Sequence, residues 1–235
     1  MKKIISYSLW GSDTRYTHGA LKNATLAKEI YPNWTCRFHV AECVPDGVLQ
    51  GLSEFDNVEI VLRDGPGNWT GMFWRFEDAS DNSVDVMLSR DCDSRLTLRE
   101  RHAVDQWLES KKGFHIMRDN YQHNVRILGG MWGAKRGAVP NMTELVRRFL
   151  ASPSSRTIWN PHLVGHNYWQ IDQEFLEKLL YPRIKDNAMI HDQFFGGIPF
   201  PDERDPKHFV GQAYRGDDRI LDDKEYFYDY LLETD

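Results

Sequence analysis

The chain has 235 residues, of which 41% are hydrophobic and 27% charged, enough apolar material for a real core and too much for a disordered or fibrous chain. Net charge is -6 and no basic block occurs, which excludes nucleic acid as an expected partner. The first apolar run is short and breaks at Ser6, so neither a signal peptide nor a membrane span is expected.

In chain order, "KIISYSLWG" predicts a buried first strand ending at a glycine. "HGALKNATLAKEIYP" predicts a helix with Leu21, Ala24, Leu26 and Ile30 on its apolar side and a stop at Pro32. "TCRFHVAE" and "NVEIVLRD" predict the second and third strands, "GPGNWTG" a loop, and "MFWRFEDAS" a short helix. "VDVMLSRD" predicts a brief, buried fourth strand. "LRERHAVDQWLES" follows as a helix packed on Ala103, Val104, Trp107 and Leu108, and "GFHIMRD" as a fifth strand. The Gly-rich "ILGGMWGAKRGAVP" predicts a strand and turn. "NMTELVRRFLAS" predicts a helix with Asn141 as N-cap and Glu144 completing a capping box. "IDQEFLEKLLYPRIK" predicts a helix ending near Pro182, and "DNAMIHDQFF" a closing short strand. The acidic, aromatic "DDRILDDKEYFYDYLLETD" reads as a docked amphipathic helix.

Strands alternating with helices predict an α/β fold, a mostly parallel central sheet with helices on both faces. Such sheets bind ligands at the carboxyl ends of their strands. "SRDCDSR" stands at that end of the fourth strand and brings Asp91 and Asp93 to the rim. Two close carboxylates raise each other's pKa unless a cation intervenes. A hard divalent ion, Mn2+ or Mg2+, suits an Asp-x-Asp that leaves the rest of its shell to water and phosphate. The competing reading has Arg90 and Arg95 neutralise the pair in a structural network.

Cys36, Cys43 and Cys92 make no disulfide framework and point to a reducing, cytoplasmic setting. Cys92 reads as a small packing residue. Asn23, Asn33, Asn68 and Asn141 open Asn-x-Ser/Thr sequons, read as chance matches without a secretory signal. "SLWGSDTRY" offers Ser8, Ser12, Thr14, Arg15 and Tyr16 at the rim of the first strand. It lacks G-x-G-x-x-G and the P-loop pattern, which disfavours a dinucleotide or nucleotide-hydrolysing site. Arg75, in "WTGMFWRF", could reach a phosphate with both arms of its fork.

Together "ISYSLWG", "GMFWRF", "LSRDCDSRLTLRE", "HIMRDN", "ILGGMWGAKRG", "DQEFL" and "IHDQF" span Ile5 to Phe194. In order and spacing they resemble nucleotide-sugar glycosyltransferases of the GT-A fold, among them domains of large algal viruses and of bacterial polysaccharide clusters. The resemblance implies a metal-dependent glycosyltransferase of the hexosyltransferase type, with a UDP- or GDP-linked donor and a saccharide or glycan acceptor. It implies one Rossmann-like domain over 1–235, with a nucleotide-binding half at about 1–95, an acceptor half at about 96–200 and a helical tail at about 201–235. Donor contacts fall on Ser8, Trp10, Tyr16, Arg75 and Asp91, and metal ligands on Asp91, Asp93 and His191, with Asp192 an alternative to His191. Gly130, Met131 and Trp132 fall beside the acceptor. Asp172 and Gln173 fall beneath the anomeric carbon, in the manner of retaining enzymes.

Three other readings compete. A sugar nucleotidyltransferase wants a Gly-rich, basic loop after its first strand, where "WGSDTRY" is poor. A non-catalytic carbohydrate-binding module could stack sugars on Trp69, Trp74, Trp132 and Trp169 but leaves the Asp pair unexplained. A metal-dependent phosphatase places its Asp-x-Asp after the first strand, not the fourth.

Overall fold

Runs of β-branched and aromatic residues build a single sheet at the centre of the computed structural model, which describes residues 1–65, 67–139, 141–152 and 171–221. Its strands are β1 (Lys3–Leu9), β2 (Thr35–Ala41), β3 (Val58–Arg63), β4 (Val86–Ser89), β5 (Phe114–Arg118), β6 (Trp132–Lys135) and β7 (Ala188–Asp192). They lie in the order β3-β2-β1-β4-β6-β5-β7. β6 runs antiparallel to β4 and β5, and every other pair is parallel. This is the mostly parallel α/β sheet that the alternation of elements predicts. All strands but β6 therefore end on one edge.

Helices cover both faces. Ile5, Tyr7, Leu9, Phe38 and Val40 point to α1 (Thr14–Ile30), α2 (Asp46–Ser53) and α4 (Leu98–Glu109) in one apolar cluster. Ile4, Met87, Phe114 and Trp132 point the other way. They pack with residues of α3 (Trp74–Glu77), α5 (Met142–Ala151), α6 (Ile171–Phe175) and α7 (Tyr181–Ile184). Burying one such large side chain contributes about 1.5–3 kcal/mol. A third, smaller cluster of Ala103, Met117, Met131, Phe200 and Val210 carries the chain beyond β7 back onto the molecule.

The structure corrects several expectations. α2 was not expected; "DGVLQGLS" is short and carries two glycines, and Leu52 is its one fully buried residue. α1 buries Thr17, Gly19, Ala20, Asn23, Ala24 and Ala27, small side chains that let the helix approach closely. Asn141 is in the left-handed region at φ 66 and makes no side-chain cap. The Met142 N–H is taken by Ser80 Oγ, and Glu144 is held by Arg147 and Arg148. The sixth helix does not end at Pro182. It passes through a π-helical turn, Leu176–Leu180, that lets Pro182 sit in the first turn of α7, where a missing N–H costs little. Residues 201–221 form turns and isolated bridges rather than a helix; the remainder of the expected tail helix lies outside the described residues. Among the described residues no helix is long and apolar enough to cross a membrane.

Candidate active site

β1 and β4 are neighbours at the point where strand order turns from one side of the sheet to the other, the place where an open α/β sheet leaves a crevice. A cleft of about 460 Å³ opens there. Ser8, Trp10, Arg15 and Tyr16 line it from the β1 side, and Asp91 and Asp93 from the loop after β4. Arg75 enters from α3, and Gly129, Asp172 and Gln173 close it. Every residue expected to touch the donor, one metal-ligand pair and both expected catalytic residues thus share one cavity.

The Asp-x-Asp loop is built on the buried face of α1. Asn23 Nδ2 donates to the carbonyls of Cys92 and Ser94 at 3.2 and 2.8 Å, and its Oδ1 accepts from Leu96 N at 3.1 Å. Gly19 makes the approach possible, since a Cβ there would stand 2.0 Å from the Cys92 carbonyl oxygen. Arg90 and Arg95 do not clasp the aspartates. Arg90 is buried against Glu100 at 3.1 Å and donates to the Ser89 and Trp132 carbonyls. Arg95 donates to the Ser94 carbonyl at 2.9 Å and pairs with Asp218. The competing reading, in which these two arginines neutralise the pair, is not what the fold makes.

The guanidinium that does meet Asp91 is that of Arg75. Nη1 donates to Asp91 Oδ1 at 2.5 Å and Nη2 to Asp172 Oδ2 at 3.1 Å. Burial opposes its charge, but Asp91 and Asp172 outweigh that and hold its pKa above the usual value. Burial, with the charge of Asp91 added, pushes the Asp93 carboxyl up to about 6, against Arg15 and Arg75. Burial likewise raises Asp172, with Arg75 opposing. Burial and the nearby Asp93 keep Tyr16 protonated and able to donate.

Gly129 and Gly130 are what these acids require. A Cβ on Gly129 would fall 2.5 Å from Asp172 Oδ2, and one on Gly130 2.0 Å from Asp91 Oδ2. Gly130 therefore keeps room for the Asp91 carboxylate. Met131 and Trp132 are corrections. Trp132 is the first residue of β6, fully buried and stacked on Phe114 at 5.1 Å, and Met131 packs with Met117 and Phe200. Neither offers a face to a sugar. His191 is also buried, with Nδ1 on His115 Nε2 and Nε2 on Gln106 Oε1, both at 2.7 Å. With both ring nitrogens engaged away from the cleft, it has none left for a metal. Asp192 pairs with Arg118 and accepts the N–H groups of Phe194 and Phe195. Trp69 is partly buried against the core, and Trp169 lies outside the described residues.

Among the described residues no three His, Cys, Asp or Glu side chains gather as a metal shell. Asp91, held on one oxygen by Arg75, and Asp93 instead bring two hard oxygen donors to the cleft, a donor set that fits a Mn2+ or Mg2+ ion that completes its shell with water and phosphate.

No known family profile matches the chain, and neither does any curated protein. Solved structures of similar fold include glycosyltransferases and a synthase. One is a glycosyltransferase involved in the glycosylation of the major capsid of PBCV-1, 13% identical, covering 82% of each chain, with a TM-score of 0.49. Another is the mannosyltransferase PcManGT from Pyrobaculum calidifontis, solved with GDP-Man and Mn2+, 12% identical, covering 63% of this chain and 46% of that one, with a TM-score of 0.43. A third, 4-diphosphocytidyl-2C-methyl-D-erythritol synthase from Anaerococcus prevotii, is 12% identical over 86% of this chain and 93% of its own, with a TM-score of 0.47. At such identities and TM-scores below 0.5, activity has to be read from the site itself.

One further group supports the cleft from behind. Asp78, buried just beyond α3, accepts from Ser6 Oγ at 2.6 Å, His39 Nε2 at 2.9 Å and Arg37 Nη1 at 2.7 Å. Arg63 donates to His39 Nδ1 and to Glu77. With the Arg75 N–H on Ser8 Oγ at 3.1 Å, these bonds fix the short helix that delivers Arg75. Charged residues alternate with apolar ones in "CRFHV". A period of two with Arg37 and His39 on one face is the signal that could have found this network.

Proposed function

We propose that the protein transfers a sugar from a nucleoside-diphosphate donor, UDP- or GDP-linked, to a saccharide acceptor, with Mn2+ or Mg2+ held by Asp91 and Asp93. The observation that carries this reading is the charge of the cleft. Asp13, Asp91, Asp93 and Asp172 line it against the two guanidiniums of Arg15 and Arg75. A diphosphate entering such a cavity is repelled unless a divalent cation comes with it. When bound, that ion offsets the charge gathering on the departing diphosphate.

The chain's own residues do the rest. Trp10 and Tyr16 supply flat surfaces for the nucleoside, and Ser8 and the Tyr16 hydroxyl supply hydrogen bonds. Arg75 keeps Asp91 and Asp172 in place beside the donor. In the reaction the bond between the anomeric carbon and the diphosphate oxygen breaks, and the oxygen keeps the electron pair. The acceptor hydroxyl bonds to that carbon and loses its proton to the leaving phosphate. Asp172 and Gln173 stand beneath the ring, and the product retains the donor's anomeric configuration. The nucleotide belongs to about residues 1–95 and the acceptor to about 96–200.

The experiment is a screen of nucleotide sugars for Mn2+-dependent thermal stabilisation, since a ligand that binds only the folded state raises its melting temperature. Asp93→Asn is expected to fold and lose that stabilisation. Equal donor affinity in the variant contradicts the site. With an acceptor in hand, NMR of the product's anomeric centre checks retention, and an inverted product removes the roles given to Asp172 and Gln173. Pyrophosphate release from a nucleoside triphosphate would point to nucleotidyl transfer instead.

A further inference from the structure

The segment after Val210 folds back onto the Asp-x-Asp loop. Ala213 bridges Ser94, Tyr214 bridges Ile220, and the Leu221 N–H returns to the Ala213 carbonyl at 3.0 Å, closing a small hairpin. Its turn presses on the start of α1, for a Cβ on Gly216 would meet Thr14 Oγ1 at 2.4 Å. At the tip Asp218 adopts φ 62. Its Oδ1 accepts from Arg95 Nε and Nη2 at 3.1 and 2.9 Å, and its Oδ2 faces Lys22 at 3.1 Å.

The contacts converge on the backbone around Asp93. The Tyr214 N–H donates to the Asp93 carbonyl at 2.8 Å. Arg95, held on two nitrogens by Asp218, uses its third to donate to the carbonyls of Cys92 and Ser94, at 3.4 and 2.9 Å. Its guanidinium also lies over the Tyr214 ring at 5.0 Å. Three consecutive carbonyls are thus turned into the protein, and the Asp93 side chain is left on the cleft side. We infer that this hairpin belongs to the cation site, and that Asp218, acting through Arg95, is a positioning residue for Asp93. The inference rests on the proposed role of Asp93 in holding a divalent ion. Partners of this indirect kind change metal affinity when removed, because they set the orientation of the ligand.

Asp218→Gly removes the carboxylate without straining a left-handed backbone. Arg95→Lys is the second variant, because the single nitrogen of an ammonium cannot span Asp218 and the loop carbonyls as the separate nitrogens of Arg95 do. Mn2+ affinity in the presence of UDP or GDP is read from the paramagnetic resonance of the unbound ion. Amide hydrogen exchange is read over residues 91–96. Each folded variant is expected to bind Mn2+ about tenfold more weakly and to exchange the loop amides about tenfold faster, at a temperature well below its melting point. A merely stabilising contact lowers the melting point and leaves both readouts alone. Mn2+ affinity within about twofold of wild type in both variants, with Asp93→Asn losing binding, overturns the inference and leaves the metal reading standing. If the wild-type protein binds no Mn2+, the metal reading fails. Loop exchange then decides the bracing alone: unchanged rates overturn that as well.

Discussion

Arg75 and Asp172 lie 97 residues apart in the chain and meet across the cleft at 3.1 Å, with the other arm of the same guanidinium on Asp91. A residue expected to contact the donor thus also ties an expected metal ligand to the aspartate expected beneath the anomeric carbon.

Removing that tie separates charge from shape. Arg75→Ala leaves Asp172 buried without its counter-ion and is expected to cost about 3 kcal/mol or more in urea denaturation. Arg75→Lys keeps the charge and loses the fork. It is expected to keep most of the stability and weaken donor binding by about tenfold or more, measured by calorimetry with the nucleotide sugar.

The glycine beside Asp91 gives a second test. Gly130→Ala places a methyl group where Asp91 Oδ2 now stands, 2.0 Å away. The carboxylate must shift, at a cost of about 1–3 kcal/mol for an overpacked site. The variant is expected to fold and lose cation-dependent donor binding. Full binding would mean that Asp91 is not held in its working position.

Acid should weaken the fold through the histidine pair. Burial pushes His191 down to about 4 and His115 well below its usual value. The unfolded chain takes up these protons near pH 6.5 and the folded chain does not, so stability present above pH 6.5 is lost as pH falls towards about 4. Asp93 acts in the opposite sense, because its folded carboxyl holds a proton up to about pH 6. In an Asp93→Asn background, urea denaturation at pH 7 and pH 5 is expected to differ by roughly 2–5 kcal/mol, a difference from which Asp93 no longer subtracts. Adding His115→Phe and His191→Leu is expected to reduce the slope and leave the part that belongs to His123, which burial also lowers to about 4.

Trp132 is a core residue, and its substitution should read as one. Trp132→Phe is expected to lower stability by about 1–3 kcal/mol and leave the acceptor KM of the folded enzyme unchanged. A raised KM at constant kcat would return Trp132 to the acceptor site.

What could be read from the residues alone follows a physical line. The Asp-x-Asp was legible because a short buried strand runs straight into charge, and a charge at a strand end belongs on the rim. Asp172 and Gln173 came from family resemblance, and the fold brings them to the same cleft. Met131 and Trp132 were misread because β6 enters the sheet at the rim instead of leaving it there, so the side chains after Gly130 go directly into the core. His191 stands one residue before Asp192, which ends β7, and no periodicity says which neighbours will occupy its nitrogens. The partner of Arg95 lies 123 residues away, beyond the reach of any local pattern.

Asn23 holds two carbonyls of the Asp-x-Asp loop while only 1% exposed, yet with Ala24 and Thr25 it also spells an acceptor for N-linked glycans. An oligosaccharyltransferase could reach that amide only before the helix docks, and the attached glycan would then keep the loop from seating. Production in a eukaryotic secretory host therefore splits each batch into chains that escaped modification and chains that never mature, whereas a bacterial cytosol imposes no such branch.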